Sequence, residues 1–319
     1  MEIKVRFNRP KVEEIIPVIN LVDDKLPAPP RGFSMFKPND KPFAGGEQKE
    51  KVLEILQELD SLIGLGTVKK LIREIQAFVE IQKRRSKEKL AAEPLVLHMI
   101  FRGNPGTGKT TVARIVGRLF KEMGVLQKGH VIEVERADLV GEYIGHTAQK
   151  TREQIKKAVG GVLFIDEAYS LARGGEKDFG KEAIDVLVKS MEDQKDNLIL
   201  ILAGYRDEMD WFLQTNPGLR SRFPIHINFP DYTSEELLEI ADSMLTKRQY
   251  RLTVDARIEL KRVLVDQLIN GHQHSGNARL VRNIIEKAIR RQAVRLFKKV
   301  EVSREDLLTI LPPDFRDSD

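Results

Sequence analysis

The chain has 319 residues, of which 41% are hydrophobic and 32% are charged, a composition typical of a globular protein. It contains no cysteine, which excludes disulfides and thiolate zinc sites, and no apolar run approaches the ~20 residues of a membrane span. The net charge of +5 is a small excess that does not indicate nucleic-acid binding. The N-terminus lacks the apolar stretch of a signal peptide, so we expect a cytoplasmic protein of about two domains.

The first 46 residues differ in composition from the rest of the chain. Half of the 14 prolines fall there, and Gly45-Gly46 closes the stretch. We interpret residues 1–46 as a Pro-rich N-terminal arm or linker. Within it, residues 3–7 alternate between apolar and polar side chains, as an edge strand does.

Two helices and then an alternation of strands and helices are predicted next. Apolar residues recur at helical spacing on both sides of a break at residues 62–66. We interpret the basic cluster at residues 83–87 as the solvated end of the second helix. Short apolar runs predict strands at residues 95–101, 130–135, 161–165, 198–203 and 225–229. Helical spacing between them predicts helices at residues 109–123, 147–158, 180–193 and 206–214.

This alternation predicts an α/β fold, with a parallel sheet covered by helices on both faces. From Asp231 onward the strand-like runs end, and helical patterns follow at residues 234–249, 255–270, 277–297 and 303–310. We therefore expect an α/β domain at residues 47–230 and a small helical domain at residues 231–319. His272 and His274 lack further ligands nearby, so we do not interpret them as a metal site.

Residues 103–110 form the pattern G-x-x-x-x-G-K-T between a predicted strand and a predicted helix. Such a loop cradles nucleotide phosphates, because its glycines let backbone N–H groups approach the anion closely. The start of the following helix adds its own attraction for phosphate. Lys109 is expected to reach the β- and γ-phosphates during catalysis, and the Thr110 hydroxyl is expected to ligate Mg²⁺. The predicted nucleotide-binding residues of this segment are Gly103, Asn104, Pro105, Gly106, Thr107, Gly108, Lys109, Thr110 and Thr111.

The apolar strand predicted at residues 161–165 is followed at once by two carboxylates. Strands often end in acidic residues, but downstream of a phosphate loop this pattern indicates the second half of a nucleotide site. Asp166 is placed to ligate Mg²⁺ together with Thr110. Glu167 is placed to orient and polarise the attacking water. The expected chemistry is the Mg²⁺-dependent hydrolysis of ATP.

The two motifs resemble those of the AAA+ ATPases, and this resemblance implies roles for further residues. Residues 62–65 resemble the segment that lines the adenine pocket, which assigns Ile63 and Gly64 to nucleotide binding; the alternative is an ordinary helix-breaking turn. Arg279 resembles sensor 2, which reaches the γ-phosphate from the helical domain; the alternative is a solvated arginine. Tyr205 stands where the family more often has asparagine at sensor 1, which leaves its role open.

The segment at residues 216–223 resembles the one that carries the arginine finger in this family. A finger guanidinium neutralises charge on the transferring phosphoryl group. Arg222 is the first choice for this role and Arg220 the second, and a local salt bridge is the alternative for Arg222. Because the family's finger enters the site of a neighbouring subunit, the resemblance implies a homo-oligomer.

Residues 142–147 resemble the aromatic-aliphatic-Gly pore loop of AAA+ motors that thread polypeptides. Tyr143, Ile144 and Gly145 would form it, since an exposed aromatic ring grips a chain through contact area and glycine lets the loop move. A core tyrosine is the alternative. The charged segment at residues 172–178 fits either a second pore loop or a plain surface loop.

Longer segments, among them GNPGTGKTTVAR and LFIDEAYSLARGGEKDFGKEAI, resemble the AAA+ subfamily that holds stage V sporulation protein K and the CbbX-type Rubisco activases. Residues 169–171 and the loop after them resemble the sporulation protein more than the Rubisco activases. The resemblance implies a ring, expected to be a hexamer, that remodels a protein partner in spore maturation. We expect neither a membrane nor a nucleic-acid partner.

Three alternatives remain open. They are a Rubisco-activase-like remodeller, a nucleic-acid-associated ATPase of the loader type, and a nucleotide-gated scaffold without turnover. Loaders usually lack the aromatic pore loop. The intact Asp166-Glu167 pair argues against the scaffold.

Overall fold

The computed structural model describes residues 46–91, 95–143, 145–174, 178–195, 197–270 and 276–316. The helices are α1 Gly46–Ser61, α2 Gly66–Lys87, α3 Lys109–Glu122, α4 Arg136–Leu139, α5 His146–Ala158, α6 Gly180–Asp193, α7 Arg206–Thr215, α8 Pro217–Arg220, α9 Ser234–Lys247, α10 Val254–Asn270, α11 Asn277–Phe297 and α12 Arg304–Leu308. The strands are β1 Met99–Arg102, β2 Val131–Val134, β3 Val162–Ile165, β4 Ile199–Gly204, β5 Ile225–Asn228, β6 Arg251–Leu252 and β7 Thr309–Ile310. The segment predicted as an edge strand, residues 3–7, lies outside the described residues, as do His272 and His274.

Strands β1 to β5 form one parallel sheet in the order β2-β3-β4-β1-β5. Strand β1 lies between β4 and β5 and pairs with both, so that Ile100 lies opposite Leu202 in β4 and His226 in β5. Parallel strands require crossover connections, and helices supply them here. The predicted α/β fold class is confirmed.

Alternating residues of β1 face two different apolar cores. Met99 and Phe101 belong to one core, built with α1, α2 and α3. Ile100 belongs to the other, built with α5, α6 and α7. All three side chains are fully buried. The strand that leads into the phosphate loop is therefore held by packing on both faces.

Helices α9, α10 and α11 enclose a third apolar core, to which Ile310 and Phe315 contribute. Ile63 packs against this core from the α/β half, and Tyr232, at the junction of the two halves, packs against the cores of both. Helix α9 begins with a capping box, in which the Thr233 hydroxyl accepts the backbone N–H of Glu236 at 3.2 Å. Within the described ranges, no helix combines the length and the apolar character needed to cross a lipid bilayer.

The helical half also contains a short sheet that the sequence pattern did not reveal. The helix predicted at residues 303–310 ends at Leu308, and β7 pairs in parallel with β6. The expectation that strands end before Asp231 is therefore wrong. Two strands of two residues each are too short to show a period, which is why their sequence pattern gives no signal.

The strand predicted at residues 95–101 begins only at Met99. The residue before it, His98, is 5% exposed, and its Nδ1 accepts the backbone N–H of Leu200 at 3.1 Å. The His98 imidazole thus accepts the hydrogen bond of a backbone N–H of β4 at the point where the pairing of β4 with β1 ends. Burial lowers the pKa of His98 from 6.5 to about 4, so the imidazole stays neutral near pH 7.

We predict that His98 makes the free energy of unfolding fall as the pH is lowered from 6.5 to 4. In this interval the unfolded chain binds a proton on His98 that the folded chain excludes. The difference should remove up to about 3 kcal/mol and level off below the folded pKa. Urea unfolding at several pH values, for wild type and His98→Asn, measures it, because Asn keeps an acceptor for Leu200 but does not titrate. Equal pH slopes in the two proteins would contradict the prediction.

Candidate functional site

The loop at residues 103–108 leaves the C-terminal end of β1 and enters α3 at Lys109, as the strand-loop-helix prediction required. Gly108 has a φ of 97°, a left-handed conformation that glycine adopts without strain. Gly106 has a φ of 75°, and a Cβ there would overlap the carbonyl oxygen of Gly276. At Gly106 the loop therefore packs against the backbone at the start of α11, and only glycine fits there.

The Lys109 side chain folds back over this loop. Its Nζ donates to the carbonyl oxygens of Gly103, at 2.7 Å, and Asn104, at 2.9 Å. Burial lowers the pKa of Lys109 to about 8, while the Asp166 carboxylate raises it and the Arg279 guanidinium lowers it. Three predicted site residues from three different parts of the chain are thus close enough to interact electrostatically.

Strand β3 brings Asp166 and Glu167 to the same edge of the sheet. The Asp166 Oδ1 accepts the backbone N–H of Glu167 at 3.0 Å. Glu167 is exposed and has a φ of 47°, a left-handed conformation that is uncommon outside glycine and clusters at functional sites. Thr110 and Thr111 lie in the first turn of α3. Thr110 and Asp166 offer a hydroxyl and a carboxylate oxygen, donor types that suit Mg²⁺ beside phosphate oxygens.

The segment at residues 62–65 separates α1 from α2 and lies beside the phosphate loop. A Cβ on Gly108 would be 3.6 Å from Cδ1 of Leu65. Gly64 has a φ of 63°, and a Cβ there would overlap the Glu236 carboxylate at the start of α9. The segment is thus both a turn and a contact between the loop and the helical half. The assignment of Ile63 and Gly64 to the adenine pocket remains a prediction.

The start of α11 lies directly on the phosphate loop. The backbone N–H of Ala278 donates to the carbonyl oxygen of Gly106 at 3.2 Å. Arg279 follows in the first turn of the helix and is exposed. This position is compatible with the predicted sensor role, which remains a prediction.

Two polar residues beside the loop were missed by the sequence predictions. Asp231 accepts hydrogen bonds from the Asn104 amide at 2.8 and 3.0 Å, and the Tyr232 hydroxyl donates to the carbonyl oxygen of Thr107 at 3.2 Å. Their only signal in the sequence was their position at the predicted junction of the two domains, where we had assigned them no role.

Arg222, the predicted arginine finger, makes its hydrogen bonds to residues of its own subunit that are not part of the predicted ATP site. Its guanidinium donates to the Glu192 carboxylate at 2.6 Å and to the carbonyl oxygen of Gly218 at 2.9 Å. The local salt bridge that was the alternative interpretation is therefore present within the protomer. Arg220, the second choice, is exposed at the end of α8. A role across a subunit boundary remains a prediction for both.

Tyr143, the predicted pore-loop aromatic, is 66% exposed. Its ring meets that of His146 edge to face, with the centroids 5.4 Å apart. Gly145 has a φ of 82° and precedes α5. The alternative of a core tyrosine does not hold, since the ring is exposed. Ile144 lies outside the described residues.

For Tyr205 and for the loop at residues 172–178, the structure shows contacts but does not decide a role. Tyr205 precedes α7 and packs on the buried Tyr169, with the ring centroids 5.9 Å apart. The Arg173 guanidinium lies 4.5 Å from the centroid of the same Tyr169 ring. Asp178 forms an ion pair with Arg136 of α4. Residues 175–177 lie outside the described residues, and both interpretations of the loop at 172–178 stay open.

Comparisons with known proteins identify the family. The model of the ATPase family associated with various cellular activities matches residues 99–231, and the AAA lid domain model matches residues 233–319. Stage V sporulation protein K of Bacillus subtilis is 56% identical over 270 residues, covering 84% of each chain. The chain belongs to the AAA+ ATPases. It is an ATP-hydrolysing enzyme of the subfamily that the sequence motifs indicated.

Other relatives of this AAA+ ATPase carry different names. Protein CbbX of Cereibacter sphaeroides is 52% identical and covers 76% of this chain, with 79% of its own length matched. A chloroplastic ribulose bisphosphate carboxylase/oxygenase activase of Cyanidioschyzon merolae is 48% identical, with coverage of 84% and 92%. Among solved structures, a Thermotoga maritima RuvB mutant shares the fold, with a TM-score of 0.54 at 22% identity, covering 81% of this chain and 69% of that one.

We predict that Tyr143→Ala leaves the melting temperature nearly unchanged. The side chain is exposed, so its removal creates no cavity, whereas truncation of a buried aromatic costs about 3–5 kcal/mol. Tyr169→Ala is the matched control, because the same substitution there removes a ring that is 1% exposed. Differential scanning fluorimetry of both variants checks this, and a comparable loss at Tyr143 would mean that its ring is packed in the assembled protein.

Proposed function

We propose that this AAA+ ATPase works as a homo-oligomeric ring, expected to be a hexamer, that uses ATP hydrolysis to remodel a protein partner. The observation that carries the proposal is the exposed Tyr143, which follows β2 and α4 in the chain, because β2 pairs with β3, the strand that leads into Asp166 and Glu167. This strand pairing connects the ATP site mechanically to the segment that carries Tyr143. The naming of two relatives as ribulose bisphosphate carboxylase/oxygenase activases supports a protein partner.

Within the α/β domain, placed at residues 47–230, the phosphate loop and Lys109 bind the phosphates of ATP. Lys109 exchanges its bonds to loop carbonyls for bonds to phosphate oxygens, and the negative charge there favours its protonated form. Thr110 and Asp166 hold Mg²⁺, which supplies charge neutralisation at the phosphates when it is bound. Glu167 orients the attacking water and draws its proton.

The helical domain, placed at residues 231–319, closes the site as a lid. Arg279 contacts the γ-phosphate from α11 and so reports which nucleotide is bound. Arg222 leaves Glu192 and enters the site of the neighbouring subunit, where its guanidinium neutralises charge on the transferring phosphoryl group. A site completed by a residue from another protomer makes hydrolysis dependent on the ring.

We predict that Arg222→Ala binds ATP and assembles but hydrolyses about 10³-fold more slowly or slower still, as loss of an arginine finger requires. Glu167→Gln is also inactive by itself. Mixing the two variants should restore activity, because a Glu167→Gln subunit donates an intact Arg222 to a neighbour with an intact Glu167. Steady-state hydrolysis across mixing ratios measures the rescue.

Glu192→Gln is the matched control for this experiment. It breaks the same ion pair but leaves the guanidinium in place, so it should keep most of the hydrolysis rate. If Glu192→Gln is as slow as Arg222→Ala and the mixture shows no rescue, Arg222 is only a local salt bridge. Arg220→Ala, mixed in the same way, tests the second choice.

The proposed biological role is spore maturation, supported by the 56% identity to stage V sporulation protein K. A Rubisco-activase-like role is the second candidate, favoured by the 52% and 48% identities to CbbX and to an activase. Both roles use the same ring and the same pore loop. They differ in the protein that is gripped, so the choice between them requires a test on partners.

We predict that polypeptides stimulate ATP hydrolysis and that Tyr143→Ala abolishes this stimulation while hydrolysis without a partner continues. The ring of Tyr143 supplies contact area for the partner, and it touches none of the ATP-site residues described above. Tyr143→Phe is the control, since it keeps the aromatic ring. The assay compares three additions, which are unfolded casein, purified ribulose bisphosphate carboxylase/oxygenase and duplex DNA. Stimulation by DNA alone would replace the proposal with the nucleic-acid alternative.

A further inference from the structure

Asn277, the first residue of α11, is an unusual polar residue beside the ATP site. It is 1% exposed, and its backbone has a φ of 44°, in the left-handed region that non-glycine residues rarely occupy. It has no place among the residues assigned to ATP above. A buried amide in such a conformation persists only where its surroundings hold it in place.

The amide of Asn277 joins three segments of the chain. Its Nδ2 donates to Asp231 Oδ1 at 2.7 Å and reaches the carbonyl oxygen of Pro105 at 3.4 Å. Its Oδ1 accepts the backbone N–H of Tyr232 at 2.9 Å. Donor and acceptor sides of the amide are both used, so the orientation of the side chain is fixed.

Asp231 completes the connection to the phosphate loop. Its carboxylate also accepts both bonds from the Asn104 amide, so that one carboxylate serves an amide from the loop and an amide from the lid. The Tyr232 hydroxyl binds the loop again at Thr107. Asn104, near the start of the phosphate loop, and Thr107, near its end, are thus hydrogen-bonded to two consecutive residues, Asp231 and Tyr232. Asp231 is in turn bonded to Asn277 of the lid.

We propose that Asn277 is a positioning residue, which fixes the start of α11 on the phosphate loop through Asp231 and so places Arg279 for the γ-phosphate. The inference rests on the role proposed above for Arg279. Only one residue, Ala278, separates Asn277 from Arg279, within the same helical turn. When the amide loses its partners, the helix start shifts and the guanidinium loses its place, although Arg279 itself is unchanged.

The expected signature is a loss of discrimination between nucleotides. ATP carries the γ-phosphate and ADP does not, so a misplaced Arg279 weakens ATP binding and leaves ADP binding nearly unchanged. We expect the ratio of ADP to ATP dissociation constants to fall by about tenfold, the loss expected for one charge-assisted hydrogen bond. A residue that served only stability would lower the melting temperature and leave this ratio as it is.

The test exchanges the hydrogen-bond donor and acceptor between Asn277 and Asp231. It uses full-length protein that carries Glu167→Gln, so that ATP is not consumed. Asn277→Asp places two carboxylates against each other, and Asp231→Asn leaves one amide donor facing another. Each single variant should lower the ratio. The double variant restores a hydrogen bond between positions 277 and 231 with donor and acceptor exchanged, and it should recover most of the ratio. Calorimetric titration with ATP and with ADP gives all the constants.

Two further variants complete the design. Asn277→Gly suits the left-handed backbone while removing the amide, and it should lower the ratio even if Asn277→Asp fails to fold. Asn283→Asp adds the same charge at an exposed position of α11 and should have no effect. Unchanged ratios in Asn277→Gly and in the single variants, or no recovery in the double variant, would overturn the proposal.

Arg279→Ala separates the two levels of the inference. If it lowers the ratio while the Asn277 variants do not, Arg279 senses the γ-phosphate but Asn277 does not position it. If Arg279→Ala itself leaves the ratio unchanged, the sensor role fails, and the positioning proposal fails with it.

Discussion

The close packing of the phosphate loop against the start of α11 is the constraint on which the site depends. At Gly106 the loop backbone and the lid backbone are so close that the carbonyl oxygen of Gly276 occupies the space of a Cβ, and the N–H of Ala278 bonds to the loop. Backbone groups are the least adjustable parts of a protein. A contact made of them therefore couples the position of the lid to the shape of the loop.

The same constraint explains the balance of charge at the site. Lys109 is desolvated where its side chain folds back over the loop, which lowers its pKa, and Arg279 brings a second positive charge close to it. The carboxylates of Asp166, Asp231 and Glu167 oppose this effect, so the side chains near Lys109 carry three negative charges against two positive ones. The attraction for phosphate therefore depends on where the two cations and the N–H groups of the loop lie, and not on the net charge of the region. The lid thus contributes positive charge at the place where phosphates are expected, and that attraction weakens if the lid moves away.

Local motifs predicted the site better than they predicted its surroundings. The phosphate loop and the acidic pair after β3 are each defined by consecutive residues that follow a strand, so the sequence pattern was sufficient to place both at strand ends, while their roles at the nucleotide remain predictions. The contact of Asn277 with Asp231 joins residues 46 positions apart and depends on a left-handed backbone at Asn277, which no periodicity reveals. The sequence likewise left a local salt bridge of Arg222 open but could not name Glu192 as its partner, because that pair depends on how α6 lies against the segment after α8.

The ion pair between Arg222 and Glu192 does not conflict with a finger that acts across a subunit boundary. Its side chains are 35% and 64% exposed, and pairs of this kind contribute only about 0–1 kcal/mol. A guanidinium that meets a phosphoryl group in a site closed to water gains more than this, since charge-assisted hydrogen bonds are stronger where water is excluded. The pair in the isolated protomer is therefore weak enough to be exchanged on assembly. Until then it keeps a long, flexible side chain folded against its own subunit, which lowers the entropy that ordering it in a neighbour's site would otherwise cost.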